Sequence, residues 1–87
     1  SLKGYKDLGN KNGISGCYNN IGGVYQNHGN YLKALEYYKK ALKISIEIGN
    51  RPNETRSYLG LGFLYLKLKK LKEAYNYSKK ANITAKE

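Results

Sequence analysis

The chain has 87 residues and a formal net charge of +10, with 16 Lys and Arg against 6 Asp and Glu, a length that allows one small domain near the size at which a single core is marginal. Ten Tyr and one Phe supply the aromatic rings, with no Trp or Met, so the core must be built largely from amphipathic side chains whose hydroxyls need partners or water. No apolar run of about 18 residues and no charged-then-apolar leader occurs, and a single cysteine excludes an internal disulfide or a zinc cluster.

The positive charge permits attraction to nucleic acid, anionic lipid or an acidic protein surface. It is also what Lys- and Asn-rich, AT-biased coding produces, so charge alone selects no partner. Beginning at Ser1 without an initiator methionine, the sequence is expected to be a piece of a longer chain. Cys17 is expected to be a reduced, buried thiol, which with the absence of a leader suggests a cytoplasmic setting.

The first segment, residues 1–10, ends on Gly9-Asn10, a left-handed helix stop followed by an N-cap. It reads as the tail of an earlier helix plus a linker. A helix is expected over residues 11–28, where Tyr18, Ile21, Gly22 and Tyr25 follow the i, i+3, i+4, i+7 rule for one face. After Gly29-Asn30 a second helix is expected over 31–48, turning Ala34, Leu35, Tyr38, Ala41, Leu42 and Ser45 inward. Gly49-Asn50 repeats the stop-and-cap signal, and Pro52 suits the first turn of a third helix over 51–68, whose inner face is Tyr58, Leu61, Gly62 and Tyr65. A fourth helix over 71–86 is expected to bury Leu71, Ala74, Tyr75, Ser78 and Ala81.

These elements repeat at an offset of 40 residues: Gly9 meets Gly49, Asn10 meets Asn50, Tyr18 meets Tyr58, Gly22 meets Gly62, Tyr25 meets Tyr65, Ala34 meets Ala74, Tyr37 meets Tyr77 and Ala41 meets Ala81. Residues 11–50 and 51–87 therefore read as two copies of one helix-pair unit. Gly22 and Gly62 cost about 1 kcal/mol each against Ala in an isolated helix, so their recurrence implies close helix approach, expected opposite Ala34 and Ala74.

Tyr18-x-x-Ile21-Gly22-x-x-Tyr25 followed by Ala34, Tyr38 and Ala41, and then Tyr58-x-x-Leu61-Gly62-x-x-Tyr65 followed by Ala74 and Ala81, resembles the tetratricopeptide repeat. The period of 40 is similar to a long-helix subclass found in cell-polarity adaptors and bacterial regulators. Ser78 departs from the family's aromatic and Lys69 from its turn glycine. The resemblance implies an all-α, right-handed solenoid of antiparallel helix pairs that acts by protein–protein interaction, with its first helices lining a concave groove. On it, Asn19, Asn20, Gly23, Gln26 and Asn27 form an amide-rich end, and Arg56, Leu59, Phe63, Leu66 and Lys67 a basic and apolar end. Arg56 is placed to fork onto a carboxylate, so the implied ligand is a protein or peptide segment, acidic where it meets Arg56. The carboxylate clamp known in the family is not implied, because Asn19, Gly23 and Gly60 stand at its positions.

Other chemistry is poorly provided for. His28 is the one histidine and no Ser or Cys has a base partner in sequence, so no catalytic site, cofactor or metal is expected. Gly60-Leu61-Gly62 lacks the third Gly and preceding strand of a dinucleotide loop. Asn53-Glu54-Thr55 and Asn82-Ile83-Thr84 match the glycosylation acceptor by chance in an Asn-rich chain. The run Lys67 to Lys72, with Lys39-Lys40 and Lys79-Lys80, reads as solvated outer surface. Nucleic acid is disfavoured, because the rings that would stack on bases are committed to helix packing. Two units leave both ends of the array uncapped, so self-association is the alternative to peptide capture.

Overall fold

A computed structural model describes residues 2–86, with side chains described over 10–84. Its elements are α1 (Leu2–Asn27), α2 (Tyr31–Ile48), α3 (Arg51–Lys67) and α4 (Leu71–Lys86). α1 packs on α2 and α3 on α4, and the two hairpins join where α3 lies against both α2 and α1.

Three turns of one design separate the helices. At each, the amide of the residue just before the next helix donates back across the last turn: Asn30 to the Tyr25 carbonyl, Asn50 to Ser45 and Lys70 to Tyr65. The residue between is left-handed, at φ +81° for Gly29, +71° for Gly49 and +62° for Lys69, so the third turn carries a side chain where the backbone favours none. Asn30 and Asn50 then accept from the Lys33 and Asn53 amides as N-caps, as expected.

The expected break at Gly9-Asn10 does not form: α1 runs through it as one helix. One physical difference separates it from Gly49-Asn50. Pro52 lacks the N–H that would continue α2 and its ring clashes one turn back, whereas Asn12 stands at the matching place.

The core is small. Ala34, Leu35, Tyr38, Leu61, Leu64, Tyr65 and Ala74 form one buried cluster, with Tyr25, Tyr31, Leu42, Leu68 and Tyr77 packed around it. Each hairpin is tied by a tyrosine triad. Tyr37 stacks on Tyr25 at 5.6 Å and leans on Tyr18 at 5.7 Å, and Tyr77 repeats this with Tyr65 at 5.5 Å and Tyr58 at 6.1 Å. Lys40 and Lys80 lie over the Tyr37 and Tyr77 rings, which gives two of the outer lysines a cation–π role.

Tyr58 is buried and donates to Glu54 Oε2 at 3.0 Å. Burial first, and that hydrogen bond second, hold its proton and push its pKa up to about 12. The raised value belongs to the folded state, so the neutral ring's contribution to stability is complete below the ordinary tyrosine pKa near 10 and is lost as pH climbs through about 12.

The second hairpin is packed from one side only. Ala74 and Ala81 are buried as expected, but Leu71, Tyr75 and Ser78 are exposed. Their counterparts 40 residues earlier are covered by α3, and among the described residues no further helix covers α4.

Candidate functional site

The seam between the hairpins explains what became of the amide-rich end of the expected groove. Asn12, Ser15 and Asn19 on α1 face Asn50, Asn53 and Ser57 on α3, both sets spaced i, i+3, i+7. Asn50 Nδ2 donates to Asn12 Oδ1, Asn53 Nδ2 to Ser15 Oγ at 2.9 Å, and Ser57 Oγ to Asn19 Oδ1 at 2.8 Å. Asn19 Nδ2 donates in turn to the Asn53 carbonyl at 3.3 Å. Asn19 is thus 3% exposed with both ends of its amide used; it fastens two helices together instead of presenting donors to a ligand.

Tyr38 accounts for Gly23 and Gln26. Its ring leaves α2 and lies between the first helices, so that a Cβ on Gly22 would sit 3.2 Å from it and one on Gly60 only 2.6 Å. The ring therefore excludes a Cβ at Gly60 and is in tight contact with Gly22, and Gly22 meets Tyr38, not Ala34 as expected. Gly62 does follow the expected pattern, since its Cβ would meet the Ala74 carbonyl at 3.5 Å and Ser78 Oγ at 3.0 Å. The Tyr38 hydroxyl donates to Gln26 Oε1 at 3.1 Å and lies 3.6 Å from where a Gly23 Cβ would be. Burial raises the Tyr38 pKa, opposed in part by the Arg56 charge.

Asn20, Asn27, Arg56 and Lys67 are exposed, as are Leu59, Phe63 and Leu66. Arg56, Phe63 and Lys67 follow i, i+7, i+11 and so share one side of α3, with the cations three turns, or about 16 Å, apart. Lys67 Nζ stands 5.3 Å over the Phe63 ring. Among the described residues neither cation is paired with a carboxylate; the ion pairs formed are Lys11 with Glu47 and Lys40 with Glu36. On α1 the matching side carries Asn20 and Asn27.

Leu59, Phe63 and Leu66 also edge an open cavity of about 450 Å³ completed by Gly62 of α3 and Leu71, Ala74, Tyr75 and Ser78 of α4. This is where the first hairpin holds Tyr38. Ser78 stands at the matching position with its Oγ against Gly62, and the cavity opens beyond it.

A family model for the tetratricopeptide repeat matches residues 15–81, most of the chain. The chain belongs to the tetratricopeptide-repeat family. No curated protein and no solved structure matched it. Tetratricopeptide repeats form a helical scaffold that mediates protein–protein interaction and is typically non-enzymatic, and the tyrosine-glycine-tyrosine faces of α1 and α3 are the residues that carry the likeness here. No group of three His, Cys, Asp or Glu side chains able to hold a metal occurs among the described residues, and no helix among them is long and apolar enough to cross a membrane.

Cys17 corrects an expectation: it is exposed, not buried. Its counterpart in the second repeat, Ser57, is fully buried because α1 covers it, and no described helix covers Cys17 in the same way. Ile21, expected on the inner face, is likewise partly exposed while its counterpart Leu61 is not. The spacing shared by Asn12, Ser15, Asn19 and by Asn50, Asn53, Ser57 was the available signal for the seam; each set read singly resembles solvated surface.

Proposed function

We propose that this chain is a protein-binding module that holds an acidic, extended segment of another protein along the open side of α3, with residues 11–50 and 51–87 as its two repeat units. The observation that carries this reading is the Arg56, Phe63, Lys67 stripe, in which two cations without carboxylate partners among the described residues flank an exposed ring. An extended peptide rises about 3.3 Å per residue, so carboxylates about five residues apart meet both cations while an apolar side chain between them lies on Phe63. Arg56 grips its carboxylate bidentately and Lys67 acts as a point charge. Asn20 and Asn27 offer amides to the peptide backbone from α1. The apolar end of the expected site, Leu59 and Leu66, borders this stripe from the cavity side. A reduced, cytoplasmic setting suits the single free thiol.

An array of synthetic peptides with two acidic residues at spacings of one to eight positions around a Leu or Phe tests the reading. Binding should peak near a spacing of five, weaken as salt is raised, and fall about tenfold or more in Arg56→Ala. Binding indifferent to the acids, or unchanged in Arg56→Ala and Phe63→Ala, would overturn it.

A further inference from the structure

The turns that close the two hairpins stand at the same end of the array, because α1 and α3 run side by side in one direction, with Asn12, Ser15 and Asn19 bonded in order to Asn50, Asn53 and Ser57. At matched positions the first turn carries Gly29, Asn30 and Leu32 and the second carries Lys69, Lys70 and Lys72. All six are exposed. Gly29, Asn30 and Leu32 are open although a whole repeat packs against theirs, so this end of a hairpin stays open where the array continues past it. Local chemistry opposes each lysine. Lys69 takes left-handed backbone at φ +62°, which glycine adopts without strain. Lys70 directly precedes α4, at the place where the Asn30 and Asn50 side chains accept an amide and where an ammonium group, which only donates, cannot. Lys70 and Lys72 also stand at the positive pole of the helix dipole. A turn that carries three such costs is shaped by its charge and not by its fold.

We propose that this end of the array, with Lys33, Lys69, Lys70 and Lys72 around Leu32, docks on an anionic lipid surface. Within residues 28–33 and 68–73 those four lysines face a single acid, Glu73, and none of the four is paired with a carboxylate among the described residues. At the opposite end, by contrast, Lys11 pairs with Glu47 beside the Gly49 turn. Leu32 is 73% exposed on α2, a helix packed on both α1 and α3. It is placed to enter the boundary between headgroups and acyl chains while the lysines meet the headgroups. Three features select a membrane over a nucleic acid. Two turns side by side make a blunt end that meets a plane. The cations are all lysine point charges, without an arginine fork for single phosphates. The one ring in either stretch, Tyr31, is packed against the core and does not stack on bases. Lys67 leans on Phe63 and stays with the peptide groove.

Co-sedimentation with phosphatidylcholine vesicles containing about 30% phosphatidylserine tests this, with pure phosphatidylcholine as the control. The chain should bind the anionic vesicles alone, and added salt should release it. Each of the four lysines replaced by Ala should weaken binding about fivefold. Lys69→Gly, Lys70→Asn and Lys72→Ala together should weaken it about a hundredfold while raising the thermal midpoint, so that loss of binding is not loss of fold. The chain has no Trp, so Leu32→Trp places a single fluorophore at the contact, and its emission should shift to the blue with anionic vesicles only. Binding that ignores phosphatidylserine, a triple variant that binds as the wild type does, or an unshifted Leu32→Trp spectrum would overturn the proposal. So would binding to duplex or single-stranded DNA at a salt concentration that leaves the vesicles free, which assigns the charge to phosphate backbones. The peptide array contains no lipid, and Arg56→Ala should keep vesicle binding, so the two readings fail separately.

Discussion

The two repeats share their tyrosine triads and turn geometry but differ at a matched position on their second helices. Tyr38 in the first fills the space between Gly22 on its own hairpin and Gly60 on the next. Ser78 in the second stands with its Oγ against Gly62, and an open cavity lies beyond it. Tyr38 and its neighbours lie beneath α3, whereas among the described residues no helix covers the matching face of α4.

The largest effect should come from removing the bridging ring. Tyr38→Ala is expected to cost about 3–5 kcal/mol, since it deletes a buried aromatic and leaves a cavity between glycines that cannot fill it. Urea midpoints followed by circular dichroism would measure this. Ser78→Tyr, its mirror, should cost far less, because Gly62 offers the ring the same flat seat that Gly22 offers Tyr38. A comparable loss in both variants would remove the distinction between the repeats.

Next in size is the polar seam. Asn19→Leu should cost about 1–3 kcal/mol, because the Ser57 hydroxyl and the Asn53 carbonyl lose a buried partner. Leu59→Asn at the matching exposed position should stay within about 0.5 kcal/mol. Glycine substitutions refine the picture. Gly60→Ala would put a Cβ 2.6 Å from the Tyr38 ring and is expected to cost about 1–3 kcal/mol as overpacking. Gly16→Ala, with nothing within 4 Å of its added Cβ, should instead stabilise by up to about 1 kcal/mol through helix propensity. Both are read from thermal midpoints. The smallest effect belongs to the turn of the second repeat: Lys69→Gly should relieve the left-handed strain at φ +62° and stabilise by about 0.5–1 kcal/mol, the strain relief of about 1–2 being partly offset by the added freedom of the unfolded chain.

The helices were legible in the sequence because their ends are written in local chemistry. Gly29-Asn30 and Gly49-Asn50-Arg51-Pro52 state a stop, a cap and a start within a few residues, and the tyrosine spacing states a face. Gly9-Asn10 has the same letters without the proline, and the backbone continued through it. Neighbours between helices were harder to read. Periodicity tells which side of α1 Asn19 occupies, but whether that side meets solvent or α3 depends on how the hairpins stack, and the amide proved structural. Of the expected site, Arg56, Phe63 and Lys67 share one exposed side of α3, while Leu59 and Leu66 edge a cavity with exposed α4 residues that no further described helix covers.

Amide hydrogen exchange across the four helices tests most directly the claim that α2 and α3 are held from both sides and α4 from one. The expected order places α2 and the inner face of α3 last to exchange and α4 well ahead of them, because α4 packs on α3 alone among the described residues and opens without breaking the core around Tyr38. Equal protection of α4 and α2 in the monomer would contradict the account.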